Sequence, residues 1–518
     1  MRSLFLSLRN VVLIPYGQVA RSALSSSTSI SSSAISTSTA AASIGSSRST
    51  TTSAPAPTKT STCSFPPEQW FDQLINHSAA SDHSNFAQRV QVNNTFYKPG
   101  GPLFMFQGDD SSISCQELFE FGRRAPEFGA ALMTIEHRYF GKSLPYGNST
   151  YNTTENMRFL TLDNVISDTI TVVDWWRANV TESKNAPVIV FGGSYSATLA
   201  TILRINHPST FFGAVASAGP VRGFLPVTND PDRFNRFDLV SQYWMDHAPD
   251  AAAKVKEGFE QLQEMVDAGK SAEIAGSIAA CNPPNKEERD DFLRGMASLF
   301  GLMLEANMQY VGPTFNITGF PWDVVANRTL AASSPLAAVN ETINTYCHVE
   351  IAKNGCFDWT TLCAESIGAQ AFPWAYLRCS YLNFDTGDAA PGTIFAATNP
   401  YESKAYCQQT FNLTPPTRTE LFAKYHFDEA TIRNTTRVSY SQGGVDPVRG
   451  LAPDQSWFEV APTDPNAPRY VYADYATHTQ DLLSSLIPGN DDPSLLRVRD
   501  QEKNIIKGWL RALNGTGY

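Results

Sequence analysis

The chain has 518 residues, 42% of them hydrophobic and 11% aromatic, which is enough to bury a large core in one big domain with an insertion or in two domains. Its formal net charge of -11 argues against nucleic acid and anionic membrane surfaces as partners and suits a secreted or vacuolar protein. No apolar stretch is long enough to span a membrane.

Residues 1–67 contain no Asp or Glu. The apolar run Leu4–Ile14, broken by Arg9, reads as part of a signal peptide over 1–21, with a mitochondrial transit peptide as the alternative. Residues 22–65 form a Ser/Thr/Ala tract that cannot bury a core and is expected to be disordered. Folded sequence begins near Pro66. Residues 86–97 alternate like an early strand, and Leu103–Phe106 is a continuous apolar strand ending at Gln107-Gly-Asp-Asp110. A helix is expected over 115–128, a strand over 131–135, and a helix over 163–178 with Val165, Ile166, Thr169, Val173 and Trp176 on one side.

Next comes Val188-Ile-Val-Phe-Gly-Gly-Ser194-Tyr-Ser-Ala: four apolar residues, two glycines, a serine, then a helical run to Ile205. That is strand, tight turn, helix, with a hydroxyl at the apex and helix amides aimed at any anion forming there. Ser196 stands where the pattern G-x-S-x-G has its second glycine. Taken alone, the stretch is also an ordinary strand–helix turn with a capping serine. A further strand over 214–218 completes a run of alternating strands and helices, which implies a parallel α/β sheet.

The pattern changes after about Pro220. Val255, Phe259, Leu262 and Val266 lie at helical spacing, as do Phe292, Met296, Leu299 and Met303. We read a helical cap over 222–365, inserted between α/β segments 66–221 and 366–518. Strands return at 437–441 and 469–473, and a closing helix runs over 494–513.

Eight cysteines, none in a C-x-x-C pair, suit disulfides better than a metal site. Eleven N-x-S/T sequons, at Asn76, Asn93, Asn148, Asn152, Asn179, Asn316, Asn327, Asn340, Asn412, Asn434 and Asn514, favour glycosylation and the secretory route.

A serine at an elbow needs a base to take its proton and a carboxylate to orient that base. On such a sheet the chain order is Ser, then Asp or Glu, then His. Only His478 lies after the 437–441 strand, just past the 469–473 strand. Asp446 follows the earlier of those strands in a Gly-rich turn, and Asp474 is the competing carboxylate. These considerations select Ser194, Asp446 and His478. Backbone amides of Tyr195 and of the loop Gly108–Asp109 are the expected oxyanion donors.

The stretches Phe86-Ala-Gln-Arg89, Gly100–Gly108, Glu136-His-Arg-Tyr-Phe-Gly-Lys-Ser-Leu-Pro-Tyr-Gly147, Gly192-Gly-Ser-Tyr195, Val445-Asp-Pro447 and His478-Thr-Gln-Asp-Leu482 resemble the S28 family of serine peptidases. The resemblance implies an α/β-hydrolase fold with an inserted helical cap. It also implies cleavage on the carboxyl side of proline by Ser194, Asp446 and His478, with no cofactor and no metal. The chain departs from the family at Ser196-Ala197, where a glycine is usual, at Val448, where a Trp is common, and at Leu377, where a Gln is common. These changes bear on substrate choice. Proline selection needs a compact apolar pocket, and Phe372, Trp374 and Tyr376 lie in the corresponding stretch. The partner expected is a proline-containing peptide, and a homodimer is left open. An esterase or lipase on the same fold, and an inactive binding protein, are the alternatives.

Overall fold

The computed structural model describes residues 68–514, apart from 80, 82, 223–235, 309–318, 362, 364–370, 382–388, 400–402 and 485–490. The proposed signal peptide, the Ser/Thr/Ala tract and Asn316 lie outside the described residues.

One sheet organises them. Its strands are β1 (Gln69–Leu74), β2 (Asn85–Asn93), β3 (Leu103–Gln107), β4 (Ala131–Ile135), β5 (Val188–Gly193), β6 (Phe211–Ser217), β7 (Val438–Gly443) and β8 (Arg469–Ala473). Their order is β1-β2-β4-β3-β5-β6-β7-β8. The β1–β2 and β2–β4 pairs are antiparallel, and every pair from β4 to β8 is parallel. This is the α/β-hydrolase architecture.

The central strands read as continuous apolar runs because both faces are covered. Leu103, Met105, Val188 and Val190 point into one core with residues of α2 (Leu162–Asn179) and α3 (Tyr195–Asn206). Phe104, Phe106, Ile189 and Phe191 point into the other, against α1 (Glu120–Phe128) and the C-terminal helix. The helix expected over 115–128 is split: Gln116–Leu118 is a short 3-10 turn, and extended Phe119 separates it from α1.

Between β6 and β7 the described residues are helical. They form α4 (Arg236–His247), α5 (Pro249–Asp267), α6 (Ser271–Ile278), α7 (Arg289–Glu305), α8 (Pro321–Ala331), α9 (Pro335–Tyr346), α10 (His348–Asn354), α11 (Ala371–Ser380), α12 (Ser403–Phe411), α13 (Arg418–Tyr425) and α14 (Glu429–Asn434). Helices α4 to α9 share one apolar core, with Phe237, Trp244, Phe259, Phe300 and Val339 buried in it. Tyr376, Phe411, Leu421 and Ile432 of α11 to α14 instead join the core beneath the sheet. The closing helix α15 spans Pro493–Asn514.

Disulfides join Cys281 to Cys356, Cys347 to Cys363, and Cys379 to Cys407, and no described cysteine is free. No described helix is long and apolar enough to cross a membrane. Asn148, Asn152, Asn179, Asn327, Asn412 and Asn434 are exposed, while Asn76, Asn93 and Asn340 are half-buried. Asn514 ends α15, and its side chain is outside the described set.

Candidate active site

Ser194 joins β5 to α3 with φ 54° and ψ -126°. An L-residue holds such a backbone only under constraint, at about 1–3 kcal/mol. The constraints are present. The Ser194 N–H donates to the Ser217 carbonyl at 2.8 Å, and the Ser194 carbonyl accepts the Ala197 N–H at 3.0 Å. Gly192 admits no side chain, because a Cβ there would stand 2.1 Å from the Ser196 carbonyl oxygen. Ser196 fits in place of a second glycine because its hydroxyl folds back on the turn. That hydroxyl accepts the Gly193 N–H and donates to the Gly193 carbonyl, both at 2.9 Å. Ser194 is half-buried while its neighbours from Gly192 to Ala200 are buried. It stands at the N-terminus of α3, where the first amides, Tyr195 included, have no carbonyl one turn back.

Asp446 and His478 come together from the ends of β7 and β8. The His478 Nδ1 donates to Asp446 Oδ2 at 2.8 Å, which leaves Nε2 as the nitrogen able to exchange a proton. The Asp446 carboxylate is buried and also accepts Gln442 Nε2 and the Val448 N–H, each at 2.8 Å. The Gly-rich turn that carries Asp446 lies against the loop that carries His478. A Cβ on Gly443 would meet the Ala476 carbonyl oxygen at 2.3 Å, and one on Gly444 would meet that of Asp474 at 2.3 Å. The turn after His478 lies in turn against the serine elbow: a Cβ on Gly193 would be 3.0 Å from Thr479 Cγ2 and 3.1 Å from Leu482 Cδ1. The competing carboxylate, Asp474, is exposed and pairs with Arg497 at 3.1 Å.

Charge gathers around His478. Burial disfavours its charged form, but the charge and hydrogen bond of Asp446 outweigh that and lift its pKa to about 9. Glu305 and Arg236, themselves paired at 2.5 Å, add opposing contributions. Asp109 and Asp110 also feel His478. Burial, reinforced by the charge of Asp109, pushes the Asp110 carboxyl up to about 7. The Thr477 hydroxyl donates to the Leu304 carbonyl at 2.6 Å, so the end of α7 meets the histidine loop.

One expectation changes on this geometry. The Gly108 N–H is not available to an oxyanion, because it donates to the Ile135 carbonyl at 2.9 Å in continuation of the sheet. The Asp109 carboxylate turns back on its own loop, accepting the Ser111 N–H at 2.9 Å and hydroxyl at 2.5 Å. The three aromatics make different ring contacts. Trp374 lies against Tyr195, with ring centres 5.9 Å apart, whereas Phe372 and Tyr376 both pack on Phe411 at 5.4 Å. They sit on α11, where residues four apart share a face and a residue two positions along does not.

The Glu136–Arg138 block supports the site. Buried Glu136 accepts Ser143 Oγ at 2.7 Å, the Lys142 N–H at 2.9 Å and the Ile113 N–H at 3.2 Å, and pairs with Arg89 at 2.9 Å. It thereby fixes the segment just past Asp109 and Asp110. His137 donates from Nδ1 to the Arg138 carbonyl at 2.7 Å and accepts the Tyr195 hydroxyl at Nε2, 3.1 Å. Burial holds its pKa down at about 4, so the imidazole stays neutral. Arg138 grips Asp168 with two bonds of 2.7 and 2.6 Å. Sequence reasoning could not pair Arg138 with Asp168, because they meet only through the fold.

The family model for Serine carboxypeptidase S28 matches residues 73–500. The chain is 24% identical over 465 residues to Prolyl carboxy peptidase like protein 5 of Caenorhabditis elegans, covering 86% of this chain and 90% of that one. It is 22% identical over 455 residues to the human Lysosomal Pro-X carboxypeptidase (85% and 88% covered). To the human Thymus-specific serine protease it is 24% identical over 418 residues (76% and 78% covered). With an elbow serine on a hydrolase sheet and a family match over most of its length, the chain belongs to the S28 family of serine peptidases.

Proposed function

We propose that this peptidase cleaves on the carboxyl side of proline through Ser194, His478 and Asp446. The observation that carries the reading is the 2.8 Å bond from His478 Nδ1 to Asp446, on a turn packed against the residue that precedes Ser194. In this scheme His478 Nε2 takes the Ser194 proton as Oγ attacks the prolyl carbonyl carbon. The tetrahedral intermediate collapses, the peptide C–N bond breaks, and His478 returns the proton to the leaving amine. Water then attacks the acyl carbon and gives a proton to His478; the ester C–O bond breaks, His478 returns that proton to Ser194 Oγ, and a product that ends in proline leaves. Asp446 holds the imidazole in the tautomer that presents Nε2 and stabilises the imidazolium. The Tyr195 N–H and an amide of the Asp109–Asp110 loop are the oxyanion donors in this account. Trp374, beside Tyr195, supplies an apolar wall for the proline ring.

Three disulfides among the described residues support folding in the oxidising secretory pathway, and we place the mature protein outside the cell or in a vacuole. The exposed sequons support glycosylation there. A homodimer remains a proposal that the molar mass in solution decides.

The test is labelling by a fluorophosphonate, followed by peptide mapping. Modification of Ser194 alone, lost in His478→Ala, is the expected result. Labelling at another serine, or turnover of simple esters with no cleavage of any proline peptide, would overturn the reading.

A further inference from the structure

The turn that follows His478 is anchored by a buried carboxylate. Asp481 accepts the Ser217 hydroxyl at Oδ1 and the Ser441 hydroxyl at Oδ2, both at 2.6 Å. Ser217 ends β6, and its carbonyl receives the Ser194 N–H at 2.8 Å. Ser441 lies in β7, the strand that leads to Asp446, and its carbonyl receives the Ala218 N–H at 2.8 Å. Leu482, next to Asp481, and Thr479 are the residues that meet Gly193. One carboxylate therefore links the histidine turn to the strands that set both other members of the proposed triad.

Helix α15 closes over this anchor. Arg499 donates from Nε to the Asp481 carbonyl at 3.2 Å and from Nη2 to the Gln480 carbonyl at 3.0 Å. One turn further along α15, Glu502 is 3% exposed and lies against the Asp481 and Ser441 side chains. Its Oε1 has no hydrogen-bond partner. The other charged groups facing it are few. Arg124 of α1 contributes a favourable charge but is paired with Glu120 at 2.8 Å, and Arg499 is paired with Asp491 at 2.5 Å. The hydroxyls of Ser217 and Ser441 are neutral. Two carboxyl groups in one buried site cannot both be ionised cheaply.

We propose that Glu502 is a positioning residue: protonated, it donates a hydrogen bond to Asp481 and holds the His478 turn in register with Ser194 and Asp446, and its ionisation loosens that turn. The proposal rests on the triad assigned above. Burial first, and the Asp481 charge second, raise the Glu502 pKa well above its ordinary value. The sign follows from linkage. Below the ordinary carboxylate range Glu502 is neutral both folded and unfolded, and stability is intact. As the pH rises the unfolded chain ionises first, so stability falls until the folded pKa is passed. The turn is therefore firm in acid and slack in alkali.

The experiment uses the full-length protein, with kcat/KM on a proline peptide and thermal melts recorded from about pH 4 to about pH 9. Wild type, Ser194→Ala, Glu502→Gln and Asp481→Asn are compared. Gln keeps a neutral donor at all pH values, so this variant should match wild type in acid, retain several-fold more of its acid activity on the alkaline side, and show a flatter Tm-versus-pH curve. Asp481→Asn, which removes the charge that helps keep Glu502 protonated, should move the alkaline limb to lower pH, on a lower plateau. If Glu502→Gln does not fold, Asp481→Asn decides. An alkaline limb and a Tm curve that coincide with wild type in the folded variant would overturn the proposal. Wild type that cuts nothing in acid would sink the triad reading, and the Tm curves would still decide for or against Glu502.

Discussion

Gly443 and Ala476 approach so closely that a Cβ on the glycine would stand 2.3 Å from the Ala476 carbonyl oxygen and 2.6 Å from that of Thr477. The strand end leading to Asp446 is thus in backbone contact with the loop that precedes His478. Gly443→Ala must push the two apart. Overpacking of this kind costs about 1–3 kcal/mol. We expect a lower Tm by thermal melt and, on the folded fraction, a loss of kcat larger than any change in KM. An unchanged kcat would show that the spacing of the two loops does not matter to catalysis.

Asp446→Asn removes the charge that lifts the His478 pKa to about 9, leaving burial, which lowers it. The acid limb of the kcat/KM profile should move to lower pH, and the plateau should fall by about 10^4, as found when such a carboxylate is replaced by its amide. The pair also stabilises the fold. Because the folded pKa lies above the ordinary 6.5, that stabilisation is whole below 6.5 and disappears as the pH rises through about 9. Melts of wild type and variant should therefore differ most in acid and converge in alkali.

Asp110, pushed to about 7 by burial and by Asp109, carries a negative charge beside His478 at alkaline pH and loses it in acid. Ionised, it favours the charged imidazole and opposes a developing oxyanion nearby. Asp110→Asn should raise kcat/KM several-fold on the alkaline side of that pKa and change it little well below it. A uniform change at every pH, read from the same peptide substrate, would mean that Asp110 acts through structure alone.

Trp374 is the aromatic that reaches Tyr195. Trp374→Ala should cut the preference for proline over alanine at the cleaved position by about 10-fold, the scale of a lost apolar contact in a specificity pocket. The same substitution of Phe372, which packs on Phe411 and Tyr151, should lower Tm and leave the preference unchanged. Substrate competition read by mass spectrometry separates the two.

The sheet was legible because buried parallel strands are unbroken apolar runs, as at Leu103–Phe106 and Val188–Phe191. β1 was missed: Gln69–Leu74 pairs only with β2 among the strands, its burial is mixed, and Trp70 is exposed. Ser194, Asp446 and His478 could be selected from chain order, since each follows a recognisable strand. Their supports could not. Asp481 is held by Ser217 and Ser441, which come from β6 and β7, and no local pattern joins residues so far apart. Which of Phe372, Trp374 and Tyr376 reaches Tyr195 was not legible either, because it depends on their positions around a helix.

The most direct measurement uses one peptide with a free N-terminal Xaa-Pro, an internal proline and a penultimate proline. It is incubated in mild acid with wild type and with Ser194→Ala, and the products are read by mass spectrometry. The account predicts cuts after proline with wild type and none with the variant, and the position of the cuts names the enzyme as a dipeptidyl peptidase, an endopeptidase or a carboxypeptidase. Cuts that persist in Ser194→Ala, or a folded wild type that leaves every prolyl bond intact, would contradict it.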